Sequence, residues 1–400
     1  STTMNKIPKR ISNMNKSILN SAVMAAIAIS ITACSSGGGS DVAGIGGSGI
    51  TSSGTITGFG STIVNGVKFN DDTATVTIDD NPSSKDLLAV GMRVTVTGTI
   101  SDDGVNGTAT SITFDDQLQG PVNGMTENLD QTIKTFSVLG TTVLASSVDT
   151  SYDVSGSNPA NPVSYTYDDL VDDNNVEISG FFNANGELEA TRIELKDETF
   201  STSNIVEFRG SITSVNNTDI VVNGVNVDAS NPSEGIDNLP NGLEMDAFVE
   251  VKGTCADPSC NPVTATKVEG ESEGFDSDGD FEVEGLVTEF TNLANNFKVA
   301  DLPVDASQVL ASNFEPASLQ STLDNDMKVE VEGTVVGGVL IANEVKLRGG
   351  DNKIDGRVAS APVNNQFEVE VDRGDGETVT IIVSAETEVE DDVNDNKLFK

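Results

Sequence analysis

Histidine is absent from all 400 residues, and so is tryptophan. The missing imidazole excludes Ser-His-Asp and Cys-His nucleophile systems, His-based acid/base chemistry and His-ligated zinc, copper or iron sites. Any chemistry would have to rest on carboxylates. Aromatic residues make up 5% and apolar residues 36% of the chain, enough to bury several modest cores more easily than one large one. Basic residues are scarce: 22 stand against 63 acidic ones, a net charge of −41. The charged residues before position 34 are all basic (Lys6, Lys9, Arg10, Lys16), so the rest holds 18 against 63, or −45. Such a field repels phosphate backbones and anionic lipid surfaces, which argues against nucleic acid as a partner. The acidity reads first as a solvated surface, compatible with salt tolerance and with attraction for divalent cations.

What the chain has is turns and alternation. Gly reaches 38, and Asn-Gly, Asp-Gly and Gly-Gly pairs recur, which predicts many short strands. Met327 to Leu347 shows the unit: Val329 and Val331 alternate with Lys328, Glu330 and Glu332, Gly333 ends the run, Gly337-Gly338 turns, and Leu340 to Leu347 returns. A period of two marks a half-buried strand. The chain restarts as Gly-x-Ile/Val at Gly54, Gly120, Gly210, Gly285 and Gly356, spaced by 66, 90, 75 and 71 residues. Tight turns follow at Ile63-Val-Asn-Gly-Val67 and Val221-Val-Asn-Gly-Val225, a strong hairpin signal. A third strand, a short Leu-containing helix or loop (Ser318 to Leu323 in the fourth repeat) and two more strands complete each unit. The strand ending in Gly98, Gly180, Gly253 or Gly333 precedes one carrying Ala-x-x-Ile/Val at Ala109, Ala190, Ala265 or Ala342.

The order strand-strand-strand, short helix or loop, strand-strand is that of the five-stranded OB barrel. An all-β chain of such OB-like barrels in a row is expected; the alternatives are an open five-stranded sandwich and a β-solenoid, the latter needing shorter and more uniform periods. The pattern Gly-x-Ile, Val-Asn-Gly-Val, Gly-x-x-Val-x-Val-x-Gly, Ala-x-x-Ile resembles a bacterial domain family of unknown function, found in tandem in exported lipoproteins and related to OB-like folds. The likeness covers about Gly54 to Lys400 and implies no catalytic residues. The expected repeats are 54–119, 120–199 with a long insertion, 207–272, 283–349 and, without its last two strands, 355–400. The fifth reads as a fragment or an incomplete barrel.

The front of the chain reads as an address. Lys16 precedes an apolar run from Ile18 to Ile31, and Ile31-Thr-Ala-Cys34 follows. The run falls short of the about 20 residues a membrane span needs and has the basic, apolar, small-residue form of a secretory signal. Its end resembles the lipobox of bacterial lipoprotein signals, which implies residues 1–33 as signal peptide and lipidation at Cys34. The signal counts 20 residues from Met14 or 30 from Met4, and residues 1–3 precede any Met. An ordinary secretory signal is the alternative. Ser35 rather than Asp follows the cysteine, which by the enteric sorting rule implies the outer membrane. Residues 34–53, rich in Gly and Ser, read as a tether of roughly 25 Å.

Four features are candidate sites. Cys255 and Cys260 flank Ala-Asp-Pro-Ser at a hairpin turn and should pair in an exported protein. Asp276-Ser-Asp278-Gly-Asp280, followed by Glu282, lies in an expected acidic linker, 273–282. Alternating carboxylates there suit calcium, although Phe281 and Val287 depart from the helix-loop-helix pattern, and a solvated linker is the plainer reading. Tyr152, Tyr165 and Tyr167 gather around the second-repeat insertion at Asn158 to Pro162, as a ligand surface or as a seal on their own barrel. Arg373-Gly-Asp375 is turn chemistry. No catalytic residues are nominated.

The function expected is that of a lipid-anchored, exported, non-enzymatic module for structure, adhesion or interaction. Its partners would be the membrane, through its lipid, and an envelope or extracellular macromolecule. The alternative is a calcium or small-ligand binding module; a carboxylate-dependent hydrolase comes third.

Overall fold

A computed structural model describes residues 49–58, 61–101, 104–155, 164–271 and 278–348, and three further strands within 356–382. Four closed barrels follow one another. In barrel 1 the strands are Gly49–Gly58, Thr62–Val64, Val67–Asn70, Arg93–Ile100 and Asn106–Phe114. The first pairs with the second, the second with the third, the third runs parallel to the fifth, and the fourth closes the ring between fifth and first. This is the expected OB order, and it closes the ring while the first four residues after Gly49 remain free to pair outside it.

Barrels 3 and 4 repeat it. Barrel 3 uses Val206–Asn216, Asp219–Val222, Val225–Asp228, Phe248–Cys255 and Val263–Gly270. Barrel 4 uses Gly279–Thr288, Phe297–Val299, Leu302–Asp305, Lys328–Val336 and Val339–Leu347. Barrel 2 breaks its first strand into Leu118–Pro121 and Asn123–Glu127, then continues through Ile133–Val138, Thr141–Ser146, Asn175–Phe182 and Leu188–Asp197.

The repeated motif residues are explained by two contacts. Gly98, Gly180, Gly253 and Gly333 each sit at a β-bulge opposite Ala109, Ala190, Ala265 and Ala342. A Cβ on any of these glycines would overlap a carbonyl of the facing strand, so the bend that closes each ring admits only glycine there. The restart glycines lie under the first residue of the tight turn: Gly54 under Asn65, Gly120 under Leu139, Gly210 under Asn223, Gly285 under Ala300.

The Leu-containing segment is short, as expected: one helical turn, Leu319–Thr322, in barrel 4 and 3-10 turns at Lys85–Leu87 in barrel 1 and Tyr167–Asp169 in barrel 2. Each connection also carries an extended piece that the sequence reading does not anticipate: Thr75–Ile78, Ser151–Val154, Gly235–Asp237 and Phe314–Glu315 each lie parallel to the fifth strand. Thr-Val-Thr-Ile in barrel 1 is β-branched throughout, which favours strand over helix.

The barrels follow in a row along the chain but not in space. The first strands of barrels 1 and 4 lie parallel, with Ile50 opposite Asp280 and Ser53 opposite Val283. Barrels 2 and 3 join where Leu118 and Gln119 meet Phe208 and Glu207. Each pair forms one 13-stranded sheet. Barrels 2 and 3 share a continuous apolar core, and Phe181 of barrel 2 enters the core of barrel 4. Two expected boundaries move as a result. Residues 49–53, read as tether, and 279–282, read as linker, are strand. Ser52 and Ser53 are fully buried; their small side chains allow the close approach that composition alone reads as flexibility. The fifth repeat contributes an antiparallel sheet of Gly356–Val358, Gln366–Val371 and Thr378–Ile382.

Candidate functional site

The sequence-nominated residues separate. Cys34, Asp276 and Arg373-Gly-Asp375 lie outside the described residues. Cys255 and Cys260 are joined as a disulfide, Cα atoms 4.9 Å apart, and both are buried. They clip the hairpin between the fourth and fifth strands of barrel 3, and Pro258 at its tip accepts a hydrogen bond from Asn123 of barrel 2 (3.1 Å).

The carboxylates read as a calcium loop do not converge. Asp280 and Glu282 belong to the first strand of barrel 4, where alternate residues advance by about 6.6 Å along one face instead of curling around an ion. Each has a protein partner. Asp278 accepts from the Gly337 amide (2.9 Å), Asp280 from the Thr334 hydroxyl (3.1 Å) and Glu282 from the Ser52 hydroxyl (2.8 Å). Glu282 is buried in the seam between barrels 1 and 4. Burial first, and the neighbouring Glu330 second, push its carboxyl up to about 8. Among the described residues no group of three or more carboxylates or cysteines is arranged to hold a metal.

The three tyrosines do meet, but face inward. The Tyr152 ring lies 6.3 Å from those of Tyr165 and Tyr167, edge to face. Tyr165 and Tyr167 are 7% exposed. The Tyr165 hydroxyl donates to Asn174 (3.0 Å) and that of Tyr152 to the Ser146 carbonyl (2.9 Å). Lys134 donates to the carbonyls of Tyr167 (2.6 Å) and Leu170 (2.9 Å) and stands 4.6 Å over the Tyr167 ring. Burial lifts all three phenols, Tyr167 to about 12. The cluster seals barrel 2 and offers no ligand surface. Nor do Tyr165 and Tyr167 share a strand: Tyr167 opens a short 3-10 turn.

What the sequence reading missed is where the cations go. Acidic side chains that alternate outward along the strands were read as solvated, yet at the seams and between the pairs they are buried. Six of the scarce Lys and Arg are gathered there. Lys196 binds Glu177 (2.6 Å) and Glu194 (3.1 Å), Lys252 lies 3.3 Å from Glu207, and Arg209 donates to Glu250 (2.9 Å). In the other pair Lys328 binds Glu284 (2.8 Å), and Arg348 and Lys346 both meet Glu330 (2.8 and 3.6 Å). Burial opposes ionisation of Glu250, but Arg209 overrides it and holds that carboxyl below its ordinary value. Phe181 is held between Arg93 (5.0 Å) and Lys328 (5.5 Å), a cation–π arrangement. The chemistry of this network is structural: each of these ion pairs braces neighbouring strands of one barrel, and cations reach a second barrel at Phe181, from Arg93 of barrel 1 and Lys328 of barrel 4. The one signal of it in the sequence was the Glu-Val-Glu and Glu-x-Lys alternation on strands that both neighbours turn out to cover.

Between the pairs lies the Asp115–Gln117 link. Asp116 is 1% exposed, and neither carboxylate oxygen has a hydrogen-bond partner. Among the described residues no helix is long and apolar enough to cross a membrane.

A family model described as a domain of unknown function (DUF5666) matches residues 50–113, 119–194, 209–269 and 284–346. These spans coincide with barrels 1 to 4. No curated protein matches the chain.

Proposed function

The chain belongs to the DUF5666 family, whose domain it carries four times, and from that premise we propose a non-enzymatic module of the bacterial cell envelope, exported and held to the membrane by lipid. The observation that carries this reading is where the shared residues lie. The bulge glycines, their facing alanines and the restart glycines all close and brace the barrels. What recurs is a frame, and what varies is the connections: the one between the fourth and fifth strands is 337–338 in barrel 4 and 256–262 in barrel 3. A constant frame with variable loops suits interaction or structural support.

Ile31-Thr-Ala-Cys34 after an apolar run supports lipidation at Cys34, and Ser35 supports delivery to the outer membrane. With so acidic a body, contact with an anionic membrane rests on the lipid alone, and nucleic acid is no partner.

The test is labelled palmitate in a bacterial host expressing the full chain. The wild type is expected to take up label and sediment with outer membranes, and Cys34→Ser to do neither. An unlabelled wild type found in the soluble fraction would sink the anchoring. Turnover in a glycan or peptide hydrolysis screen would sink the non-enzymatic reading.

A further inference from the structure

We propose that the Asp115–Gln117 link is a proton-operated latch between the two barrel pairs, closed while the Asp116 carboxyl is neutral and loosened when it ionises. This link joins barrel 1 directly to barrel 2, and therefore the 1·4 pair to the 2·3 pair. Asp116 and Gln117 are buried, and Gln117 is fastened at both ends: its carbonyl side chain accepts from the Gly180 amide (2.9 Å) and its backbone amide donates to Ile178 (3.2 Å).

Asp116 sits in this dry junction with two free carboxylate oxygens. Facing it are Glu207 and Arg209 from the first strand of barrel 3, Glu177 from the fourth strand of barrel 2, Asp79 from the turn after Thr75–Ile78 of barrel 1, and Lys252 from the fourth strand of barrel 3. Its neighbour Asp115 faces Arg209, Asp80, Glu250 and Asp79. The cations are already engaged. Arg209 is on Glu250, Lys252 lies between Glu207 and Glu250, Lys196 between Glu177 and Glu194, and Lys267 between Glu269 and Asp80. Among the described residues no cation pairs with Asp116. An ionised carboxylate buried without a partner beside Glu207, Glu177 and Asp79 is strongly disfavoured, and the simplest relief is a proton.

The titration behaviour agrees with the geometry. Burial, then Glu207 and Glu177, raise Asp116 well above the ordinary carboxylate range, and burial lifts Asp115 to about 6. A carboxyl raised in the closed form binds protons that the open form releases. The closed form is therefore fully favoured below the ordinary carboxylate value of 3.8 and loses that advantage as pH rises from there through the raised one. Among the described residues, other contacts across the junction are Thr191 donating to the Gly91 carbonyl (2.7 Å), the Ala184 amide to Asp326 (2.7 Å), Lys267 reaching Asp80 (3.5 Å), and Phe181, seated in the core of barrel 4 against Arg93 and Lys328. Ionising the link works against these contacts, and opening uncovers the charged outer faces of both sheets.

The experiment is small-angle scattering and thermal melting of the full chain from pH 5 to pH 9, with chelator and with calcium. The wild type is expected to expand and to melt at lower temperature as pH rises, equally in chelator and calcium. Asp116→Asn keeps the shape and removes the charge, and is expected to stay compact across the range and to melt with a weaker pH dependence than the wild type, the remainder belonging to other raised carboxyls such as Glu282. Should Asp116→Asn fail to fold, infrared spectroscopy of the wild type supplies the readout: a protonated carboxyl band at pH 5 that fades in step with the expansion. A wild type unchanged across the range, an Asp116→Asn variant that follows it, or calcium that abolishes the expansion would each overturn the latch.

Discussion

Barrels 1 and 3 make their tight turn with Asn-Gly, barrels 2 and 4 with Leu139-Gly140 and Ala300-Asp301, and the backbone is the same in all four. Asn65, Asn223, Leu139 and Ala300 all have φ near +50° (53°, 51°, 46° and 51°). In the Asn barrels the side chain returns the cost of that conformation. Asn223 donates to the Arg209 carbonyl (2.7 Å), and Asn65 to the Ser53 carbonyl (3.1 Å) and the Ser52 hydroxyl (2.9 Å), which itself donates to Glu282 of barrel 4. Leu139 and Ala300 are instead held by packing in their cores. Each pair joins one barrel of each kind. The difference teaches that the turn geometry is imposed by ring closure, and that the side chain only decides how it is tolerated.

The sharpest way to break this comparison is to fill the restart glycines. A methyl at Gly285 meets the Ala300 backbone, which cannot move without opening the turn, whereas at Gly210 it meets only the Asn223 side chain. Gly285→Ala is expected to destabilise barrel 4 by about 3 kcal/mol. Gly210→Ala should cost barrel 3 about 1–2 kcal/mol, as Asn223 swings away and its bond is lost. Equal losses in chemical denaturation would show that the two turns do not differ.

The seam beside Asn65 comes next. Because Glu282 is lifted to about 8 by burial and by Glu330, the folded chain holds a proton that the unfolded chain releases above its ordinary value of 4.5. Stability from this group is full below that value and falls as pH rises toward 8. Urea midpoints at pH 5 and pH 8.5 should show it, and Glu282→Gln should reduce it. An unchanged pH slope in the variant would remove Glu282 from the seam's energetics.

Exchanging the turn residues themselves sharpens the contrast. Asn223→Ala leaves a carbonyl unpaired and an alanine at positive φ, an expected loss of about 2 kcal/mol. Ala300→Asn, which brings the other kind of turn to barrel 4, should change stability by less than about 1 kcal/mol. The smallest effect belongs to the aromatic seal of barrel 2: Tyr152→Phe removes one bond to Ser146 and should cost about 1 kcal/mol, read as a melting shift. No shift at all would mean that packing alone holds the seal.

The barrels were legible because their signals are local. Period-two alternation at Val329 and Val331, Asn-Gly at Asn65 and Asn223, and glycine at Gly98 and Gly333 each express a constraint met within one hairpin. The seams were not legible, since Ser52 and Glu282 meet across 230 residues and nothing in either stretch names the other. For the same reason Asp280 and Glu282 read as linker: an alternating acidic run looks identical on a solvated face and on one that another barrel covers. The tyrosines were located but their direction was not, because Tyr165 and Tyr167 point inward only by virtue of how Lys134 ties down their loop.

The joining of the first barrel to the fourth also sets an order of assembly. Barrels 2 and 3 are neighbours in the chain and can pair as soon as both exist. Barrel 1 is synthesised first yet finds its partner strand last, a contact of long sequence separation that is slow to form. Until then the Ile50–Ser53 edge stands open, the kind of surface on which chains cross-associate. Thr51, Ser52 and Ser53 line most of that edge with hydroxyls. A strand that must wait for its partner is thus kept small and polar, soluble in the interval and still able to close the molecule when barrel 4 arrives.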